Sequence, residues 1–129
     1  MNKILVEVSV GELLDKISIL EIKKEKIKDD KNLKYIKGEY NVLKEELDKN
    51  VKIDDKLNSL FHSLKVINSK LWVIEDDKRS CEKNSDFGEK FIRLSRDVHF
   101  LNDDRAKIKL EINNYTGSKI KEIKEYTDY

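Results

Sequence analysis

Arg105 stands where an apolar side chain is expected. Phe91, Leu94, Val98, Leu101, Ile108 and Ile112 advance in steps of three and four, the spacing of one helix face, and Arg105 falls within that stripe. A guanidinium is always ionised, so burial makes an acidic or anionic partner close to obligatory. At 100° per residue, Glu21 sits between Leu14 and Ile17 on the inward arc of an earlier helix. Asn68 and Glu75 share a third apolar seam with Leu64, Leu71 and Ile74, with Trp72 beside them. Lys109 lies one turn beyond Arg105, and Asp15 and Lys16 lie at the margin of the first helix. Glu21, Arg105 and Lys109 form one candidate ligand-binding constellation, Trp72 and Glu75 a second, and Asp15 and Lys16 its edge. Arg105 would hold an anionic group through paired hydrogen bonds, and Glu21 would orient that group or accept a proton. The competing reading is a buried salt bridge between Glu21 and Arg105 that sets helix register and adds little net stability.

Four helices must position these residues. Ile4, Val6, Val8 and Val10 alternate with Leu5, Glu7 and Ser9, which predicts a short strand or extended segment. Ser9 to Glu12 forms a capping box opening a first helix that runs to about Lys28. A second helix carries Leu33, Ile36, Tyr40, Leu43 and Leu47 and closes on a left-handed Asn50. A third begins at Asp54–Asp55 and holds its seam to about Arg79. A second capping box, Asp86 to Glu89, opens a fourth helix that stops at Thr116-Gly117-Ser118, leaving a tail with one or two further helical turns. Short breaks make sequential helices antiparallel neighbours. The fold class is therefore all-α, an up-down-up-down four-helix bundle over residues 1–129 as a single domain. Matching helix levels across the breaks brings Glu21, Tyr40, His62 and Arg105 to one height. Helices three and four, each ~40 Å long, overrun the other two, so the strand, the tail or another subunit must cover their far ends.

Composition closes several functional classes. The chain has 27 basic and 26 acidic residues, a balance that leaves no uncompensated basic face for nucleic acid. Cys81 is the single cysteine, so no internal disulfide forms and a cytoplasmic, reducing home is expected. No apolar run approaches the ~20 residues of a membrane span, and the start lacks a signal peptide's apolar stretch. Glu12 and Asp15 stand at the three-residue spacing that helical nucleotide pyrophosphohydrolases use for Mg²⁺, but no second such pair faces them from the third helix. His62 and His99 lack ligand-spaced neighbours, so no metal and no cofactor is expected, and His62 reads as a partly buried hydrogen-bonding residue.

Val6 to Leu20, Leu71 to Asp76, Asn102 to Lys109, Gly117-Ser118 and Tyr126 to Tyr129 resemble, along nearly the whole chain, a family of small bacterial and phage proteins known only as a domain of unknown function. The resemblance implies a stand-alone helical domain and transfers no activity. A looser likeness is to the helical chorismate mutases, which hold a dicarboxylate with Arg and Lys from several helices. The first and fourth helices and Arg105 fit that outline, but Glu12 and Asp15 stand where that family has an arginine. Two functions follow. The first is a protein-interaction or scaffold module that self-associates or docks to a protein partner, motivated by the unpaired strand and the overlong helices. The alternative is an enzyme or sensor that binds a small anionic ligand in a polar pocket at the bundle centre.

Overall fold

The computed structural model describes residues 3–129. Its helices are α1 (Val10–Lys26), α2 (Asp30–Asn50), α3 (Asp55–Lys83) and α4 (Glu89–Thr116). Local chemistry sets most boundaries. Ser9, Asp29 and Asp54 cap α1, α2 and α3 by accepting amide hydrogen bonds from Glu12, Asn32 and Leu57. Gly117, at φ 68°, ends α4 in the left-handed region, where the absence of a Cβ removes the steric penalty. Two expected caps differ. Asn50 stays helical, its side-chain amide donating to the Glu46 carbonyl, and an extended Val51 closes α2 instead. Gly88 opens α4 without a side-chain cap, because Asp86 turns back to accept from the Gly88 amide.

The packing is that of a four-helix bundle in which α1 is central. It contacts α2, α3 and α4, while α3 and α4 pair along their length. The apolar core gathers Leu14 and Ile17 of α1, Leu47 of α2, Leu57 and Leu64 of α3, and Ile112 of α4. The reason is length and patterning. With 17 residues, α1 is short enough to be enclosed. Its buried residues Gly11, Leu14, Asp15, Ile17, Ser18, Leu20 and Ile22 occupy most of its circumference. By contrast α2 buries only Leu47. None of the described helices is long and apolar enough to cross a membrane.

Close approach of α1 to α4 depends on Gly11. A Cβ there would lie 2.6 Å from the Lys109 carbonyl oxygen and 2.9 Å from Asn113 Oδ1. The Gly11 amide instead donates to that Asn113 oxygen at 2.7 Å, locking the two helices together.

The ends depart from expectation. Residues 3–9 form no strand, because no described segment offers a second edge to complete the hydrogen bonds. The tail after Gly117 has no helical turn either. It doubles back along α4 and is held by side chains: Glu122 to Lys109, and Tyr129 against His99 and Phe100 with ring centroids 5.4 Å apart. The Tyr129 hydroxyl also bonds Asp103. His62 is exposed on α3 rather than partly buried.

Two glycine substitutions should act in opposite directions. Gly11→Ala forces a methyl group against the α4 backbone and is expected to lower stability by roughly 1–3 kcal/mol. Gly38→Ala, in the interior of α2 with open space around it, should raise it by roughly 0.5–1 kcal/mol. Urea denaturation followed by circular dichroism measures both.

Candidate functional site

Three successive inward positions of α1, Gly11, Asp15 and Ser18, are small or polar. At spacings of four and three they fall on one stripe, and the stripe faces polar groups of α3 and α4. Asp15, 1% exposed, is the centre. Arg105 grips it with two hydrogen bonds, Nε to Oδ1 at 3.0 Å and Nη2 to Oδ2 at 2.5 Å. Asn68 Nδ2 donates to Asp15 Oδ1 and to Ser18 Oγ, both at 2.8 Å, and the Ser18 hydroxyl in turn donates to the backbone carbonyl of Asp15. Lys109 Nζ lies 3.7 Å from Asp15 Oδ2 and bonds Glu12 at 2.7 Å and Glu122 at 3.1 Å. Among the described residues every buried side-chain polar atom has a partner. Such a complete network fixes a unique register.

The electrostatics follow from this geometry. Burial alone pushes the Asp15 carboxyl upward, but hydrogen bonds from Arg105 and Asn68 and the charges of Arg105 and Lys109 outweigh it. The group ends below the ordinary carboxylate range. The hydrogen bonds that Arg105 donates to Asp15, together with the carboxylate's charge, hold the guanidinium above its usual value against burial. Burial depresses the Lys109 ammonium, yet Glu12, Glu122 and Asp15 together raise it.

A buried salt bridge on Arg105 is therefore present, but its partner is Asp15 and not Glu21. Glu21 instead accepts from Lys65 at 3.1 Å and from the Tyr40 hydroxyl at 3.3 Å. Because α1 is surrounded on three sides, an inward-facing residue does not declare its neighbour. Glu21 meets α2 and α3, and Asp15, six residues earlier, meets α3 and α4. The expected meeting of Glu21 with Tyr40 holds, and that with Arg105 does not. Glu12 and Asp15 share a face as their spacing requires, and both are taken up by cations from α4. Glu12 consequently does not reach back to complete the capping box with Ser9.

Two clefts flank Arg105. One, about 460 Å³, lies between the N-terminal segment, α4 and the tail, and includes Glu12, Lys109, Glu122 and Lys124. The other, about 390 Å³, brings Trp72, Glu75 and Arg105 together with Asn68. Lys16 is exposed and lines neither. Sequence reasoning missed Ser18, Asn113 and Glu122 as members of the network. The stripe of small and polar residues on α1 was the signal for Ser18, whereas Asn113 sits on α4 opposite Gly11 and Glu122 is brought in by a tail without periodicity.

The fold and this network define an all-α protein whose first and last helices are joined by a buried ionic cluster. The model of a family of unknown function, DUF6165, matches residues 4–128, and the chain belongs to that family. No curated protein and no solved structure gives a significant match.

The lowered Asp15 carboxyl makes a signed prediction. Its folded value lies below its unfolded value of ~3.9, so its contribution is complete above that value and is lost as pH falls through the folded one. Asp15→Asn should flatten that acid limb in urea midpoints measured against pH. Arg105→Met leaves the carboxylate buried without its main cation and should cost roughly 3 kcal/mol at neutral pH.

Proposed function

We propose that the protein is a self-associating interaction module whose occupant is a second copy of this chain. The observation that carries this reading is the N-terminal segment. Ile4, Leu5 and Val6 are 84%, 82% and 75% exposed, with Val8 exposed beside them. Among the described residues the backbone of residues 3–8 makes no hydrogen bond within the chain, while Val10 and Ser9 already serve α1. Apolar residues alternating along an unpaired backbone form an edge that recruits another strand.

The sequence of that edge is self-complementary. Antiparallel pairing of two copies about Val6 sets Ile4 of one chain opposite Val8 of the other, a two-fold contact in which each chain gives and receives the same bonds. A two-stranded ribbon alone is marginal in water, so further apolar burial is required. The outer face of the α3–α4 pair offers it. Val66 and Val73 lie opposite the core residues Leu64 and Leu71 and are exposed. A groove of about 630 Å³ between α3 and α4 is lined by Val73, Ile74, Phe100 and Leu101. An anion pocket at the bundle centre is less supported, because the Asp15 carboxylate already occupies the Arg105 guanidinium.

Sedimentation analysis tests the proposal. The wild-type chain should sediment as a dimer. Val6→Lys, which places two ammonium groups opposite one another at the two-fold, should sediment as a monomer with unchanged helical circular dichroism. Val6→Thr should remain dimeric. A wild-type monomer at all concentrations up to about 100 µM, roughly 5.5 kcal/mol of association, would overturn it.

A further inference from the structure

The cleft beside Trp72 carries a feature that the ion network does not use. Asn68 is 5% exposed, and both its recorded bonds are donated by Nδ2, to Asp15 and to Ser18. An ionised carboxylate only accepts hydrogen bonds, so the amide nitrogen must face Asp15 and the carbonyl oxygen Oδ1 must face away. Among the described residues that oxygen has no hydrogen-bond partner, yet no fully enclosed side-chain polar atom there lacks one. It therefore keeps an opening, and the cleft that Asn68 lines supplies it.

The surroundings of this acceptor are chemically mixed in an orderly way. Buried Ile22 and Leu71 form an apolar floor, and half-buried Trp72 stands beside them, its indole N–H donating to nothing among the described residues. At the rim, Glu75 and Arg79 are both exposed, and neither has an ion-pair partner among the described residues. The cations of the network behave otherwise, since Lys109 and Arg105 are each held by carboxylates. The cleft thus presents a buried acceptor and the carboxylates of Glu75 and Asp76 for a donor group, the Arg79 guanidinium for an acid group, and apolar surface between them. Its volume of about 390 Å³ lies in the range of small-molecule sites.

We propose that this cleft binds a free α-amino acid with an apolar side chain. The ammonium group is met by Asn68 Oδ1 and Glu75, the carboxylate by Arg79 through paired hydrogen bonds, and the side chain rests on Leu71 and Trp72. Both charges of the ligand find an opposite partner, which neither an amine nor an acid alone achieves. This site is separate from the N-terminal segment, so its occupancy does not depend on self-association.

Trp72 is the single tryptophan of the chain and reports directly on the cleft. Titration of the wild-type protein with phenylalanine, followed by Trp72 fluorescence and by calorimetry, should give one saturable event. Phenethylamine and 3-phenylpropanoate, each lacking one charge, should bind at least about tenfold more weakly. Arg79→Met and Glu75→Gln, both at exposed positions that leave the Asp15 network intact, should each weaken phenylalanine binding by a similar factor. Absence of both a fluorescence change and heat with phenylalanine up to about 10 mM would overturn the proposal, as would equal binding of phenylalanine and phenethylamine.

Discussion

An ionised carboxylate cannot be enclosed among helices unless the chain returns to it the interactions that water provided. Asp15 is enclosed, and the arrangement around it follows from meeting that requirement. Arg105 must come within two hydrogen bonds, which brings α4 against α1. Asn68 must turn its amide nitrogen inward, which sets the rotation of α3. Lys109 must remain near enough to contribute charge, and it in turn draws Glu12 and the tail residue Glu122. Gly11 is the steric complement of the same constraint, since only a residue without a Cβ lets the two backbones approach so closely.

The network divides the molecule into regions of different character. Around it α1, α3 and α4 are tied by polar and apolar contacts together. α2 attaches through one fully buried leucine and partly buried neighbours, Tyr40 and Leu43. The outer face of α3 and α4 and the N-terminal segment remain apolar and open. Interior charge thus serves register, and under the proposed self-association the exposed apolar surface would meet a second copy of the chain. The Trp72 cleft lies at the boundary, where a buried amide of the network meets unpaired charges at the rim.

Much of the helical frame was legible because it rests on local chemistry. Ser9 and Asp54 stand where caps were expected, Leu57, Leu64 and Leu71 keep their seam, and Gly117 ends α4 as its position requires. Failures occurred where a local pattern needed a distant partner. The alternation from Ile4 to Val10 is a real strand pattern, but a strand exists only with a second edge. The misassigned partner of Arg105 has a related cause. Hydrophobic period reveals which residues of α1 face inward, and for a helix enclosed on three sides that leaves the neighbour unspecified. Level matching assumed aligned axes, yet α1 meets α4 with Asp15, not Glu21, at the level of Arg105. Asp15 was visible as a charged residue of the right helix, and its central role became apparent only with the stripe it shares with Gly11 and Ser18.

The bonds that define the centre also join the two ends of the chain. Asp15 and Arg105 are separated by 90 residues, and Gly11 and Asn113 by 102. During synthesis α1 emerges long before its counter-charge exists, so the nascent α1–α3 segment carries a carboxylate that has no cation to receive it. Closing so large a loop costs entropy before any contact repays it. The contacts of α1 with α2 and of α3 with α4 are each local across a short turn, whereas those of α1 with α4 close the longest loop of the fold. A chain truncated before Arg105 keeps most of the apolar core residues but leaves the Asp15 carboxylate without its guanidinium.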